Sequence, residues 1–478
     1  MGAHMMMLSQ AARILNCRLL GADVQFTSVS SDSRKLFQGD LFIALRGEHF
    51  DGYEFIEQAA KSGAVAAMVN ANSIEGQESA SKKQADNIIP LLAVEDTRVA
   101  LGKLAAHWRK QFDIPLIAIT GSNGKTTVKE MLSCILGVAA GNKALVLATV
   151  GNLNNDIGLP LTLLKIGRQH RYAVVEMGMN HPGEIDYLTS IACPDIALVN
   201  NASTAHLEGL GSVEAVARAK GEIFAGLRAS GTAIINADDR SAPLWRTLVG
   251  AHPLLEFGLG QQADVSGKWH PKGFGLQIEV RTPQGSFTTD MQVPGEHNAC
   301  NALAATAAAI SLNIPLETIA TGLERFGGVA GRLQRKPARH GAALIDDTYN
   351  ANPASLSAAI GVLAMARGKR VLVLGDMGEL GEKAASFHAE TGIEAREAGI
   401  EMLFALGALT VNTTREFGGG GRHFENIEDL QDALDKELDS NTTILVKGSR
   451  FMRMERVVEF LEEGKLGDTK RLQEKSCS

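Results

Sequence analysis

The stretch Ile117-Ala-Ile-Thr-Gly-Ser-Asn-Gly-Lys-Thr-Thr-Val-Lys-Glu130 decides how this chain is read. Its first residues are apolar and β-branched (Ile117, Ile119, Thr120), which predicts a buried strand. The run breaks at Gly121-Ser-Asn-Gly124 and restarts as a helical pattern from Lys125 to about Leu136. A strand, a glycine turn and a helix start together aim free backbone N–H groups and the positive helix end at one point. Lys125 adds a point charge there, and the Thr126 hydroxyl offers a ligand to a cation. Gly121, Ser122, Asn123, Gly124, Lys125, Thr126 and Thr127 therefore describe a nucleotide-phosphate cradle. The usual loop has another glycine five residues before Gly124, but that position is Ile119, so a plain Walker A pattern is matched only in part. A bare strand-to-helix turn explains the glycines but not the Lys-Thr pair behind them.

The whole chain bounds what surrounds this loop. Its 478 residues exceed one core and predict about three domains. Hydrophobic content of 45% with 21% charged residues is that of a soluble globular protein. No apolar run approaches the roughly 18 residues that span a bilayer. Met1–Met7 has no basic region or apolar segment; it reads as a cloning remnant and is set aside from the fold. Cys17, Cys134, Cys193, Cys300 and Cys477 are scattered without paired metal spacing, which predicts a reduced, cytoplasmic protein without a zinc site. A net charge of -7 excludes a general nucleic-acid binder, so an anionic substrate must be met by local lysines and arginines.

Three α/β units are expected, over residues 8–88, 89–330 and 331–468. Asn70 to Asn87 is polar and lacks apolar periodicity, as a surface loop or linker would. The middle unit alternates strand-like runs (116–120, 172–176, 195–199, 232–236) with helical stretches, the pattern of a parallel sheet with helices on both faces. Residues 263 to 293 change to glycine-punctuated alternation, which predicts a small antiparallel excursion. The third unit has strands at Ala342–Asp346, Arg370–Leu374, Met402–Ala405 and Thr443–Val446, a Rossmann-like arrangement.

Motifs along nearly the whole chain now carry a resemblance. They are Ser31-Asp-Ser-Arg34, Phe42-Ile-Ala-Leu-Arg-Gly47, Thr120-Gly-Ser-Asn-Gly-Lys-Thr-Thr127, Gly151-Asn-Leu-Asn-Asn155 and Glu176-Met-Gly-Met-Asn180. Asp346-Asp-Thr-Tyr-Asn-Ala-Asn-Pro353, Leu374-Gly-Asp-Met-Gly-Glu-Leu-Gly381 and Val446-Lys-Gly-Ser-Arg450 continue the set. In these the chain resembles the Mur ligase family. The resemblance implies an N-terminal uridine-nucleotide domain, a central P-loop ATPase-like domain and a C-terminal Rossmann-like ligase domain. It also implies a cytoplasmic, ATP- and magnesium-dependent amide-bond former of peptidoglycan synthesis. Its substrates would be UDP-N-acetylmuramoyl-tripeptide and D-alanyl-D-alanine, and we expect a monomer that inserts into no membrane.

Such a reaction activates a carboxylate as an acyl phosphate, which an amine then attacks with loss of phosphate. Both steps crowd negative groups, so the protein's task is positioning and charge neutralisation. Glu176 ends the apolar run Tyr172-Ala-Val-Val175, at the strand end where ligands of open α/β sheets gather. By resemblance, Thr126, Glu176, His206 and Lys220 organise two magnesium ions, with Lys220 carbamylated; a helical lysine and a lone loop histidine would otherwise read as solvated. Asn298 and Asn301 lie three apart on one helical face, where amides can meet a base edge; capping is the alternative for Asn298. The resemblance makes both adenine-side contacts, with Asp347 on the ribose and Arg332 reaching the phosphates from the third unit. Ser31, Asp32, Ser33, Arg34, Arg46 and Gly47 would hold the uridine nucleotide, and Thr149, Asn152, Asn154 and Asn155 the muramoyl group. Asn350 and Asn352 would contact the dipeptide, while Asp376 and Glu379 follow a strand where a carboxylate binds an amine or is solvated.

Other readings remain at this point. An amino-acid-adding muramoyl ligase or folylpolyglutamate synthase would share the phosphate loop. No Asp-Asn-Pro acceptor element occurs here, and the second enzyme would lack the Ser31–Arg34 block. A P-loop switch or motor would need no sugar-nucleotide motif.

Overall fold

The computed structural model describes residues 5–47, 51–75, 89–203, 211–260 and 263–462. Parity along the central strands shows why they sit where they do. Leu116, Ala118, Ala173, Val175, Ala197 and Val199 point into one apolar cluster. Ile117, Ile119, Val174, Ile196 and Leu198 point into another on the opposite face. Successive Cβ atoms of a strand alternate sides, so an unbroken apolar run is what a sheet covered on both faces requires.

That sheet has nine strands, in spatial order Gly285–Met291, Gly275–Thr282, Val265–Lys272, Leu254–Gly258, Thr232–Asn236, Ile196–Val199, Leu116–Thr120, Tyr172–Glu176 and Val146–Ala148. It is parallel from Val146–Ala148 as far as Val265–Lys272, and the last three strands form the expected antiparallel excursion. Helices Lys125–Ala140, Glu296–Ser311 and Leu316–Glu324 cover one face. Thr97–Arg109, Glu184–Ala192, Val213–Gly221 and Ala242–Val249 cover the other. Leu116–Thr120 lies where the strand order turns back, the switch point at which such sheets bind ligands.

An N-terminal five-stranded sheet runs Arg18–Leu20, Leu91–Val94, Ala64–Asn70, Asp40–Ile43, Ser28–Ser30, parallel except for its first pair. Leu91–Val94 thus pairs into this sheet from beyond residue 88. Asn70 ends a strand and Ala71–Glu75 is helical, so the expected linker begins later; residues 76–88 lie outside the described set. Setting aside Met1–Met7 also needs correction. Met6–Met7 pairs antiparallel with Gln25–Phe26, and Met6 is buried in the core, because this apolar pair completes an edge that would otherwise expose backbone donors.

The C-terminal sheet runs Gln334–Pro337, Ala343–Asp347, Thr442–Lys447, Lys369–Gly375, Met402–Leu406, Gly421–Phe424, parallel but for its first strand. Two apolar clusters cover its faces, one of them receiving Phe274 from the central unit's antiparallel excursion. The chain is therefore three α/β units, each a predominantly parallel sheet. Among the described residues, no helix is long and apolar enough to cross a membrane.

Candidate active site

The strand Leu116–Thr120 stays fully buried through Thr120, so Ile119 serves the core and the phosphate loop starts only at Gly121. The loop closes at Gly124, whose φ of 81° is left-handed. A Cβ there would lie 2.4 Å from both Asn200 Nδ2 and Asn301 Oδ1, so only glycine lets the loop approach these amides. The helix opens directly at Lys125. Lys125 Nζ donates to the Gly121 carbonyl at 2.6 Å, folding the side chain back over the loop. Burial pulls its pKa down to about 8, with Glu176 opposing the shift and Arg332 adding to it.

Glu176 is 1% exposed at the end of its strand. Its Oε2 accepts from Thr126 Oγ1 at 3.3 Å, while Oε1 is buried without a hydrogen-bond donor and lies 3.8 Å from Lys129 Nζ. Lys129 is itself buried, donating to the Thr149 carbonyl at 2.7 Å and pairing with Glu130 at 2.7 Å. Sequence reasoning missed Lys129. Its spacing of four from Lys125 puts both on one helix face, but helical lysines are normally solvated. Thr149, expected at the muramoyl group, is buried and accepts from the Glu176 backbone N–H at 3.0 Å, so it fixes the carboxylate from behind.

Asn298 and Asn301 are buried in the first turns of Glu296–Ser311. Asn298 Nδ2 donates to the Pro294 carbonyl at 2.7 Å, Asn301 Nδ2 to Asn298 Oδ1 at 3.4 Å, and Asn200 Nδ2 to Asn301 Oδ1 at 2.9 Å. Gly295 is the helix's N-cap, so capping does not account for Asn298. Asn201 grips Asn123 from both sides, accepting from its N–H at 2.8 Å and donating to its carbonyl at 3.1 Å.

The C-terminal unit reaches across. Arg332 donates to Thr126 Oγ1 at 3.0 Å, with its guanidinium stacked 4.2 Å over Tyr349. Asn352 Nδ2 donates to Asn123 Oδ1 at 2.9 Å while its own Oδ1 caps the helix Pro353–Ala364. Asp347 accepts from Lys447 Nζ at 2.6 Å and from the Leu333 N–H at 3.1 Å. Burial raises the Asp347 pKa, with Lys447 opposing. Lys447 also donates to the Asn350 carbonyl at 2.9 Å; this buried cation had no expected role, although its motif was noted. Between the two units lies a cleft of about 910 Å³. It collects Ser122 to Thr127, Asn154, Glu176, Asn298, Asn301, Arg332, Asp347, Asn350 and Asn352 from the expected set.

Other expected residues stand apart from that cleft. Asn155 caps the helix Gly158–Leu163 through Gly158 N–H at 2.9 Å, and the Asn152 carbonyl accepts from the Asn154 N–H at 2.8 Å within a turn. Ser31 to Arg34 and Arg46 to Gly47 follow strands of the N-terminal sheet, where Arg34 pairs with Asp32 at 2.9 Å and Arg46 bridges to Asp51. Lys220 is buried on Val213–Gly221, and burial and then Lys125 hold its pKa well below that of a free lysine. His206 lies outside the described residues.

A phosphate loop at the switch point of a parallel sheet, faced across a cleft by a second α/β unit, defines a nucleotide-dependent enzyme whose site is split between units. Comparison with known proteins narrows the class. The sequence matches the Mur ligase family catalytic domain over residues 25–109, the Mur ligase middle domain over 119–309 and the Mur ligase glutamate ligase domain over 331–450. The chain belongs to the Mur ligase family, whose members are ATP-dependent ligases. It is 42% identical to the UDP-N-acetylmuramoyl-tripeptide–D-alanyl-D-alanine ligase of Escherichia coli K12, over 95% of this chain and 98% of that protein. The Bacillus subtilis protein of the same name is 35% identical over 92% and 93%. Among solved structures, MurF of Acinetobacter baumannii superposes with a TM-score of 0.85 at 35% identity, covering 94% of this chain and 97% of that one. MurF ligase of Thermotoga maritima, solved with ADP, gives 0.79 at 28% identity over 92% and 98%.

Proposed function

We propose that the chain joins D-alanyl-D-alanine to UDP-N-acetylmuramoyl-tripeptide, giving the pentapeptide, ADP and phosphate in peptidoglycan synthesis. The observation that carries this is the 42% identity to a ligase of that name across 95% of this chain, all three units included. Folylpolyglutamate synthase of Mycobacterium tuberculosis shares the fold but matches only 76% of the chain.

In this reading the tripeptide carboxylate attacks the γ-phosphorus of ATP, ADP leaves, and the dipeptide nitrogen then displaces phosphate from the acyl carbon. Lys125 and Arg332 neutralise the transferring phosphoryl group from opposite walls of the cleft. Asn298 and Asn301 lie on the adenine side and Asp347 on the ribose. The N-terminal unit, extended through Val94, holds the uridine nucleotide with Ser31 to Arg34, Arg46 and Gly47. Asn154 meets the muramoyl group, and Asn350 and Asn352 the dipeptide.

The residues fit magnesium. Glu176 Oε1 is a buried oxygen without a donor, next to the Thr126 hydroxyl, and both are hard ligands. Among the described residues no three His, Cys, Asp or Glu side chains cluster, which suits an ion that keeps most of its waters. Magnesium would supply charge neutralisation between the phosphates. Glu176, Thr126 and His206 would hold two ions, and Lys220 would orient their waters as a carbamate. A buried lysine with a lowered pKa has the neutral amine that carbon dioxide requires. The enzyme acts as a monomer in the cytoplasm.

Coupled phosphate release across a panel of amines, with UDP-N-acetylmuramoyl-tripeptide and ATP, tests the assignment. D-alanyl-D-alanine should give the fastest turnover, and no turnover above buffer would overturn it.

A further inference from the structure

We propose that Glu379 binds the ammonium group of the amine substrate, an inference that rests on the ligase reading above. Four cations line the cleft, Lys125, Arg332, Lys447 and Arg450, against three carboxylates, Glu176, Asp347 and Glu379. An amine arriving as its ammonium ion is repelled by that excess unless a carboxylate receives it. Glu176 faces Thr126 and Lys129 on the phosphate side, and Asp347 holds Lys447 at 2.6 Å. Glu379 is the lining carboxylate set away from both, on the loop after the strand Lys369–Gly375 of the C-terminal unit.

That loop is built for a fixed geometry. Asp376 does not reach a substrate, because its carboxylate accepts from the Leu409 and Thr410 N–H groups at 3.1 and 2.9 Å and anchors the start of the helix Thr410–Phe417. The Met377 N–H donates to Nε2 of His388 at 3.0 Å. His388 is fully buried, and its Nδ1 lies 2.7 Å from the Ala384 carbonyl, which fixes the tautomer with the proton on Nδ1. The Gly378 N–H donates to Ser449 Oγ at 2.8 Å, and the Ser449 N–H donates to the Asp376 carbonyl at 3.0 Å. A Cβ at Gly378 would fall 2.8 Å from the Phe451 ring, so the loop also packs flat against that side chain. Glu379 follows these clamps with a φ of 61°, a left-handed conformation that a glutamate holds only where its neighbours impose it. A strained acidic residue, held on one side by His388 and Ser449 and facing the cleft, has the form of a preorganised cation subsite.

Steady-state kinetics on the full-length enzyme test this. Glu379→Gln should raise KM for D-alanyl-D-alanine by about 10- to 100-fold, as loss of a charged hydrogen-bond acceptor predicts, and leave KM for ATP and UDP-N-acetylmuramoyl-tripeptide unchanged. Glu379→Asp should recover part of the loss. Hydroxylamine, a neutral acceptor at pH 7.5, should capture the acyl phosphate equally in Glu379→Gln and wild type, which establishes that the variant is folded and phosphorylates. His388→Ala should move the same KM through the loop, and His388→Gln, which restores an acceptor, should return it towards wild type. An unchanged KM for D-alanyl-D-alanine in Glu379→Gln, or an equal loss of hydroxylamine turnover, would overturn the role of Glu379. A wild-type enzyme inactive with D-alanyl-D-alanine but active with another amine overturns the ligase assignment instead, and with it the substrate named here.

Discussion

The loop Gly121–Thr127 and the loop Ser31–Arg34 each follow a parallel strand and each carries a motif for an anionic ligand, yet their side chains are held differently. In the first, Ser122 and Thr127 are buried, Lys125 is folded onto the Gly121 carbonyl, and Asn123 is gripped by Asn201 and Asn352. In the second, Arg34 leaves 77% of its side chain exposed and pairs only with Asp32, two residues away. Asp32 also accepts the Arg34 N–H at 3.1 Å, so the turn is closed by its own residues, and Arg34 holds the Asp32 carboxyl below its usual pKa. The contrast follows from what each loop has to do. A group that stabilises developing charge must be in place before the charge appears, because reorganising it costs rate. A group that only retains a carrier nucleotide can order when the ligand arrives.

The largest expected effect breaks the first loop alone. Lys125→Ala should lower ligation by about 10²–10³-fold, as loss of a preorganised charge contact does, while leaving sugar-nucleotide binding intact. Isothermal titration with UDP-N-acetylmuramoyl-tripeptide checks the second half. Loss of that binding in a folded variant would mean that the two loops are not separate sites.

Lys220→Ala comes next. Its amine is buried with a pKa held down by burial and by Lys125, and an ammonium there would oppose the metals it is proposed to organise. Activity should fall roughly 10- to 100-fold, the range seen when a group that orients metal ligands is removed, and acetate should partly restore it. Activity indifferent to the substitution returns Lys220 to a structural role on its helix.

Much of this architecture was legible because the strands are buried on both faces and so announce themselves as apolar runs. Leu116–Thr120, Tyr172–Glu176 and Thr232–Asn236 fall where the sequence put them, and the phosphate loop followed from Gly121 to Lys125. What stayed hidden was set by tertiary context. Lys129, Lys447 and His388 are polar residues on a helix or strand end, and nothing local shows that each is buried against a partner from a distant segment. Asp376 and Glu379 looked alike in sequence, three residues apart, but one anchors a helix start and the other lines the cleft. The family resemblance named the magnesium and carbamate roles; residue periodicity would have left His206 and Lys220 as solvated side chains.

A third substitution sharpens the comparison from the exposed side. Arg34→Ala removes a side chain with no partner but Asp32, so stability should stay within about 0.5 kcal/mol of wild type by urea denaturation. The Kd for UDP-N-acetylmuramoyl-tripeptide should rise by about tenfold as one charged hydrogen bond is lost, with kcat unchanged. Because the contact is exposed, the wild-type Kd should also weaken with salt more steeply than that of the variant. A drop in kcat at saturating nucleotide would mean that this loop, too, takes part in the reaction.

The smallest effect lies at the one residue that works in both senses. Asn352 Oδ1 caps the helix Pro353–Ala364 by accepting from Ser355 N–H at 2.9 Å, and its Nδ2 ties that helix to Asn123 across the cleft. Asn352→Ala removes both and should cost about 1 kcal/mol of stability, the usual value of an N-cap. Asn352→Asp keeps the cap oxygen and the favourable charge at the helix start but loses the donor to Asn123. The aspartate variant should therefore melt near wild type, while its KM for ATP rises with that of the alanine variant. Thermal melts and ATP kinetics on the same two proteins separate the roles. If Asn352→Asp matches wild type in KM, the contact with Asn123 does not help hold the phosphate loop, and the rigidity of that loop comes from Asn201 and the central unit alone.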